Sequence, residues 1–265
     1  MIQPLTSPRT EAASPLIRIE NLEVSFSGFK AIRGLNLLLA PGELRFLIGP
    51  NGAGKTTLLD VLCGKVKPSK GSVKFKDKID LARHQEHQIA QLGIGRKFQA
   101  PSIFSTLSVY ENMLLAVKQK RGIFGALFTS SPPQQRARIR HYLEMVGLAH
   151  KETAAAGSLS HGEKQWLEIG MLLSQEPELL LLDEPAAGMT DSETGKTGEL
   201  LQRISRSQTV VVVEHDMEFV RQFAQIVTVM HEGATLREGT MEEIQNDDKV
   251  AEVYLGRRTE RHDEG

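Results

Sequence analysis

One stretch constrains this chain more than any other. Gly49-Pro50-Asn51-Gly52-Ala53-Gly54-Lys55-Thr56 fits the spacing G-x-x-x-x-G-K-[ST]. The apolar run Leu44 to Ile48 precedes it, and a helix-like stretch from Lys55 to Cys63 follows and stops at Gly64. Strand, glycine loop and helix in that order form the front of an α/β unit. In such a loop the backbone curls so that successive N–H groups point at phosphate oxygens, and the helix N-terminus behind adds positive potential. Lys55 is then placed to reach the terminal phosphates and the Thr56 hydroxyl to ligate Mg²⁺. The candidate nucleotide contacts are Gly49, Pro50, Asn51, Gly52, Ala53, Gly54, Lys55, Thr56 and Thr57.

A second feature pairs with the first. Leu179-Leu180-Leu181-Leu182 is an apolar run that ends in Asp183-Glu184. Two acids closing a buried strand need something positive to meet them, because unpaired buried charge is costly. With a phosphate loop in the same chain, Asp183 becomes the outer ligand of Mg²⁺ and Glu184 the group that polarises an attacking water.

The rest of the chain reads as one nucleotide domain with a helical insertion. Ile17 to Val24 alternates like an edge strand, Phe26 to Phe29 reads as a turn, and Ile32 to Leu39 as a further strand. From Ser108 to Gly147 the pattern is helical, broken by a loop at Thr129 to Pro133, and helix signals continue over Lys164 to Ser174. The runs Leu179–Leu182 and Val210–Val213 suit parallel strands covered on both faces. Helices are predicted over Ser192–Ser205 and Met217–Ala224, and a hairpin over Ile226–Met230 and Thr235–Glu238. This gives a disordered tail over residues 1–15, one domain over 16–256 with a helical subdomain at about 100–174, and a charged tail over 257–265.

Composition excludes several classes. Basic and acidic side chains number 32 and 33, without the basic excess of a nucleic-acid binder. The one cysteine, Cys63, rules out an internal disulfide framework and fits a reducing cytosol. No apolar run reaches the roughly 18 residues that span a bilayer. His84, His87, His150 and His262 read as solvated, and no further ligand cluster supports zinc at His84 and His87.

With the two motifs placed, the chain resembles the ATP-binding subunits of ABC transporters. Leu159-Ser160-His161-Gly162-Glu163 is similar to that family's signature motif, with His161 and Glu163 departing from the usual LSGGQ. Ser160 and Glu163 also form a capping-box pattern at a helix start. Gln99 follows Gly95-Arg96-Lys97-Phe98 and resembles the Q-loop glutamine, a contact of Mg²⁺ and of the γ-phosphate side. His215, after the Val210–Val213 run, stands where the family carries its switch histidine, and Phe26 where it carries an aromatic that stacks on adenine. Asp191 lies one place later than the family's D-loop aspartate.

The resemblance implies a P-loop ABC ATPase fold: a mainly parallel core sheet, an antiparallel N-terminal portion and a helical subdomain. It implies ATP and Mg²⁺ held between Lys55 and the glycine loop of one chain and Ser160 and Gly162 of another. Glu184, His215, Gln99 and Lys55 then carry hydrolysis. Its implied partners are a second ATP-binding subunit, two membrane subunits and, indirectly, an external solute-binding protein, at the cytoplasmic side of the inner membrane. Phe98, Ile103 and Phe104 either line the groove for the membrane subunits or are local core. A small GTPase lacks support because N-K-x-D is absent. A soluble ABC protein of DNA repair or ribosomes lacks its coiled coil or second nucleotide domain here.

LSHGE, Glu184–Met189 (EPAAGM) and Ile94–Gln99 (IGRKFQ) are similar to the branched-chain amino-acid importer group. Within that group, Ser25–Ala31, Pro41–Arg45, Asp60–Lys65 and Glu252–Arg257 most resemble the urea-transporter branch. That likeness implies urea as the solute, with a branched-chain amino acid as the alternative.

Overall fold

The computed structural model describes residues 14–97, 103–117 and 133–255. Two sheets are present among them. In the first, β1 (Ile17–Phe26) and β2 (Phe29–Leu39) form an antiparallel hairpin, and β4 (Lys70–Phe75) joins the other side of β1 and carries β5 (Ile79–Asp80). β1 is therefore interior to its sheet and not the edge that its alternation suggested. Its polar residues line a solvated face, while Ile17, Ile19, Leu22 and Val24 are buried on the other. The register slips between Ile19 and Leu22, at Asn21 with φ 48°, so a bulge keeps both apolar pairs on the core side.

The second sheet has the order β10–β9–β3–β8–β7–β6. Its members are β3 (Leu44–Ile48), β6 (Ile94–Lys97), β7 (Leu179–Asp183), β8 (Thr209–Val213), β9 (Ile226–His231) and β10 (Ala234–Gly239). All neighbours are parallel except β10, which returns antiparallel on β9. The unbroken apolar runs have a direct cause. Phe46, Leu180, Leu182, Val210 and Val212 bury in one core, and Leu47, Leu179, Leu181, Val211 and Val213 in another on the opposite face. The first core is covered by helices and the second by the antiparallel sheet and α1 (Lys55–Leu62).

Between β6 and β7 run α3 (Val109–Ala116), α4 (Pro133–Met145) and α5 (His161–Leu173), in the region predicted to be helical. Pro133, read as loop, is the first residue of α4, where a missing N–H costs nothing. The remaining helices are α2 (Glu86–Gln91), α6 (Asp191–Ser205), α7 (Met217–Phe223), α8 (Met241–Gln245) and α9 (Asp248–Leu255). No helix among the described residues is long and apolar enough to cross a membrane.

Candidate active site

Parallel pairing delivers the candidate residues to one edge of the second sheet. Leu47 of β3 and Asp183 of β7 both pair with Val213 of the intervening β8. The chain leaves β3 into the glycine loop, β7 into Glu184 and β8 into Glu214-His215, so all three exits stand side by side. This is the carboxyl edge at which open α/β sheets hold ligands.

The glycine loop is shaped by close backbone approaches. A side chain on Gly49 would put its Cβ 2.1 Å from the Met230 carbonyl oxygen, and one on Gly54 would lie 2.7 Å from that of Ala31. Gly54 caps α1 at φ 99° with no side-chain cap, so the first N–H groups of the helix are left to a ligand. Lys55 lies beneath the loop: its Nζ donates to the carbonyls of Gly49 at 2.6 Å and Pro50 at 3.1 Å. Burial holds its pKa below the ordinary lysine value, opposed by the carboxylates of Asp183 and Glu184. Asn51, Gly52 and Thr56 are exposed on the same loop and first turn, and Ala53 is buried.

Asp183 is buried, and its Oδ2 has no hydrogen-bond partner among the described residues. Burial raises its pKa, opposed first by Arg96, whose Nη2 stands 3.8 Å away. A buried carboxylate oxygen with no hydrogen bond, beside a phosphate loop, fits a divalent cation, which would supply the close partner that Arg96 at 3.8 Å does not. Among the described residues no group of three or more His, Cys, Asp or Glu could hold a metal. Mg²⁺ takes only one or two protein ligands plus phosphates, a share that Asp183 and the Thr56 hydroxyl would supply. His84 is in fact half-buried, with Nδ1 2.8 Å from the Asp80 carbonyl oxygen.

Glu184 and His215 meet: Oε1 of the first lies 3.0 Å from Nε2 of the second. Glu214, which sequence reasoning passed over, braces both. Its buried carboxylate accepts from the backbone N–H of Ala186 and of His215, each at 3.2 Å. Burial raises its pKa despite those bonds. The available signal was an acid directly after an apolar strand and directly before the candidate histidine. Glu184, Gly188, Asp191, Glu214 and His215 line a cleft of ≈ 340 Å³.

Ser160 caps α5, accepting from Glu163 N, while the Glu163 carboxylate accepts from Ser160 N at 3.0 Å: the capping box is present. His161 Nε2 lies 3.1 Å from the Ala187 carbonyl oxygen and against Gly188. The departure from glycine at this position thus fills space over the loop that follows Glu184. Phe26 is 45% exposed at the tip of the β1–β2 hairpin, paired with Phe29. That hairpin reaches the glycine loop through Gly233, whose N–H donates to Ala53 O and whose O accepts from Arg33 N. Gln99 and Phe98 lie outside the described residues. Ile103 packs on the core, whereas Phe104 is 56% exposed. The Phe104 backbone is pinned at both N–H and C=O by the buried Asn112 side chain.

A glycine loop, a buried aspartate and a Glu–His pair at one sheet edge define a P-loop nucleotide-hydrolysing cassette. Comparison with known proteins narrows this. Residues 32–187 match the family model described as ABC transporter, and residues 238–259 match that of the branched-chain amino acid ATP-binding cassette transporter. The high-affinity branched-chain amino acid transport ATP-binding protein LivG of Escherichia coli (strain K12) is 37% identical over 254 residues, covering 92% of this chain and 99% of LivG. The crystal structure of an ABC-transporter cassette in its ADP conformation superposes with TM-score 0.80 at 29% identity, over 92% of this chain and 99% of that one. A dimeric cassette in a post-hydrolysis state, bound to ADP and Pi, gives 0.69 at 25% identity, over 85% and 98%. The chain belongs to the ABC transporter family and is one of its ATPases, with ATP as substrate and Mg²⁺ as the usual partner ion.

Proposed function

We propose that this chain is the ATP-hydrolysing subunit of an importer and works in a pair at the cytoplasmic face of a membrane, attached through membrane subunits. The observation that carries the hydrolytic part is the meeting of Glu184 and His215 beside Lys55 and Asp183. Lys55 and the loop amides hold the phosphates, Glu184 orients the lytic water, and His215 contacts the γ-phosphate. Catalysis of this kind is mainly positioning and charge stabilisation. Thr56 and Asp183, with Gln99, would hold Mg²⁺, which neutralises phosphate charge when bound. Ser160 and Gly162 serve the ATP of the facing subunit, a reading supported by the dimeric form of the post-hydrolysis relative. ATP binding then favours the closed pair and loss of the γ-phosphate the open one. The test is Glu184→Gln: it should stop turnover while ATP still brings two chains together, and normal turnover would sink the proposal.

For the solute, the relatives favour a branched-chain amino acid, since LivG is so named and the C-terminal family match bears the same description. A second reading, urea, rests on the segments Ser25–Ala31, Pro41–Arg45, Asp60–Lys65 and Glu252–Arg257 alone. None of the site residues above touches the solute, so kinship and not chemistry supports either choice. Deleting the chain and measuring labelled leucine and urea uptake separates them: the solute whose uptake is lost, and restored by wild type but not by Glu184→Gln, is the cargo.

A further inference from the structure

The donors at the start of α5 are already engaged by a side chain of the same subunit. Ser160 Oγ donates to Glu193 Oε1 at 2.8 Å. The other oxygen, Oε2, accepts from the N–H and the hydroxyl of Thr190, each at 3.0 Å. A Cβ added to Gly162 would lie 2.6 Å from both Cδ and Oε1 of Glu193, so this carboxylate lies against the Gly162 backbone and helps bury it. The bonds from Thr190, Ser160 and Gly162 hold Glu193 below the ordinary carboxylate range, which keeps it ionised at neutral pH. No lysine or arginine pairs with it among the described residues. An anion is thus already seated at the start of α5, on the Ser160 hydroxyl and against the Gly162 backbone, where a phosphate oxygen would seek the same groups.

We propose that Glu193 is a placeholder: its carboxylate occupies the signature donors until the γ-phosphate of the facing subunit's ATP displaces it. The proposal rests on the cross-subunit role given above to Ser160 and Gly162. Two negative groups cannot share these donors, so closing the pair requires Oε1 to leave Ser160. Oε2 can keep its capping bonds to Thr190 while it does so, because those lie on the side chain's own helix. Glu193 therefore stabilises the open state and sets how much ATP is needed to close it. It also keeps Ser160 and Gly162 from capturing other anions. ADP, with no γ-phosphate, has nothing to displace it.

The test uses the full chain in the Glu184→Gln background, where ATP should accumulate the pair. The ATP concentration for half-dimerisation is read by light scattering for three further variants: Glu193→Gln, Glu193→Ala and Ser160→Arg. Removing the competing charge should lower that concentration about fivefold or more. Glu193→Gln keeps size and one acceptor for the cap, so it carries the test if Glu193→Ala fails to fold. An unchanged or raised midpoint in Glu193→Gln, with dimerisation still abolished by Ser160→Arg, would overturn the placeholder and leave the cross-subunit site standing. Dimerisation of Ser160→Arg at the parent midpoint would instead remove the cross-subunit site, and the placeholder with it.

Discussion

Glu184 reaches His215 across two adjacent parallel strands, Oε1 to Nε2 at 3.0 Å, and its own backbone is bent to make this possible. Glu184 has φ 49°, a left-handed conformation that a non-glycine residue adopts at a cost of about 1–3 kcal/mol, while its N–H donates to Val213 O at 2.9 Å. Because Asp183 is level with Val213, Glu184 and His215 leave the sheet close together, and Glu214 fixes the backbone on both sides.

Glu184→Gln should therefore cut turnover about a hundredfold or more and leave ATP affinity nearly unchanged, because the lost group acts on the water and not on the nucleotide. Steady-state phosphate release against equilibrium binding of a fluorescent ATP analogue measures the two separately. His215→Ala should move turnover in the same direction. Equal losses of binding and turnover in Glu184→Gln would mean that the carboxylate holds nucleotide.

Lys55→Ala should differ in kind. Lys55 is the cation inside the glycine loop, bonded to Gly49 O and Pro50 O, so removing it takes away both charge and loop support. Nucleotide binding itself should fall below detection in the same fluorescence titration. Retained affinity with slow turnover would give Lys55 a purely catalytic part.

How much of this was legible follows burial. β3, β7 and β8 read correctly because both faces are covered, which leaves apolar residues no alternation to hide in. β6 was read as a motif and not as a strand, since Ile94-Gly95-Arg96-Lys97 looks like a polar loop. Its charges are instead buried in pairs, Arg96 with Asp60 at 2.5 Å and Lys97 with Glu168 at 3.4 Å, and such partners lie far away in sequence. β4 escaped because only its second half alternates, with Val73 and Phe75 buried, while Lys70-Gly71-Ser72 has no apolar residue and takes its conformation from pairing with β1. The candidate site was legible where spacing is local, in Gly49–Thr56 and Asp183-Glu184. The wider roles of Glu214 and Glu193 were not: beyond their local bonds to His215 and Thr190, the first reaches Ala186 and the second Ser160 only because the fold brings those segments near. α8 carried a readable signal, the capping pair Thr240 and Glu243, that was passed over.

Asp183 gives a pH dependence. Its folded pKa is raised by burial, so the folded chain binds more protons than the unfolded one between the ordinary aspartate value and the raised one. The nucleotide-free chain should lose stability as pH rises through that window, with the full contribution present only below it. Asp183→Asn has no such charge to bury. In EDTA its thermal midpoint should match or exceed wild type at neutral pH, and the gap should narrow in acid. A wider gap in acid would contradict the assignment of Asp183 as a buried carboxylate awaiting a cation.

At the far end of β3, Arg45 is 3% exposed and gathers Glu43, Glu238 and Thr228 around its guanidinium. Arg45→Met should cost about 3–5 kcal/mol in urea unfolding, because it leaves Glu43 buried without its cation. Adding Glu43→Gln should recover most of that loss, since the pair is replaced and not broken. A double variant as weak as the single one would mean that Arg45 acts by packing and not by charge.

The division of the site between two chains gives the last prediction. Lys55 opens α1 and Ser160 caps α5, with over a hundred residues between them, and the proposed assembly assigns them to opposite faces of one ATP. A Lys55→Ala chain cannot hold the phosphates in its own loop, and a Ser160→Arg chain blocks the donors it offers to its neighbour. Each alone makes a pair with two defective sites. Mixed, they form hetero-pairs in which one site joins the intact loop of the Ser160→Arg chain to the intact signature of the Lys55→Ala chain. Random pairing at equal amounts makes hetero-pairs about half of the population, by the symmetry of such dimers. ATPase activity should therefore appear on mixing and peak near equal amounts. Activity that stays absent at every ratio, with hetero-pairs demonstrated by differential tags, would require both residues to act within one chain.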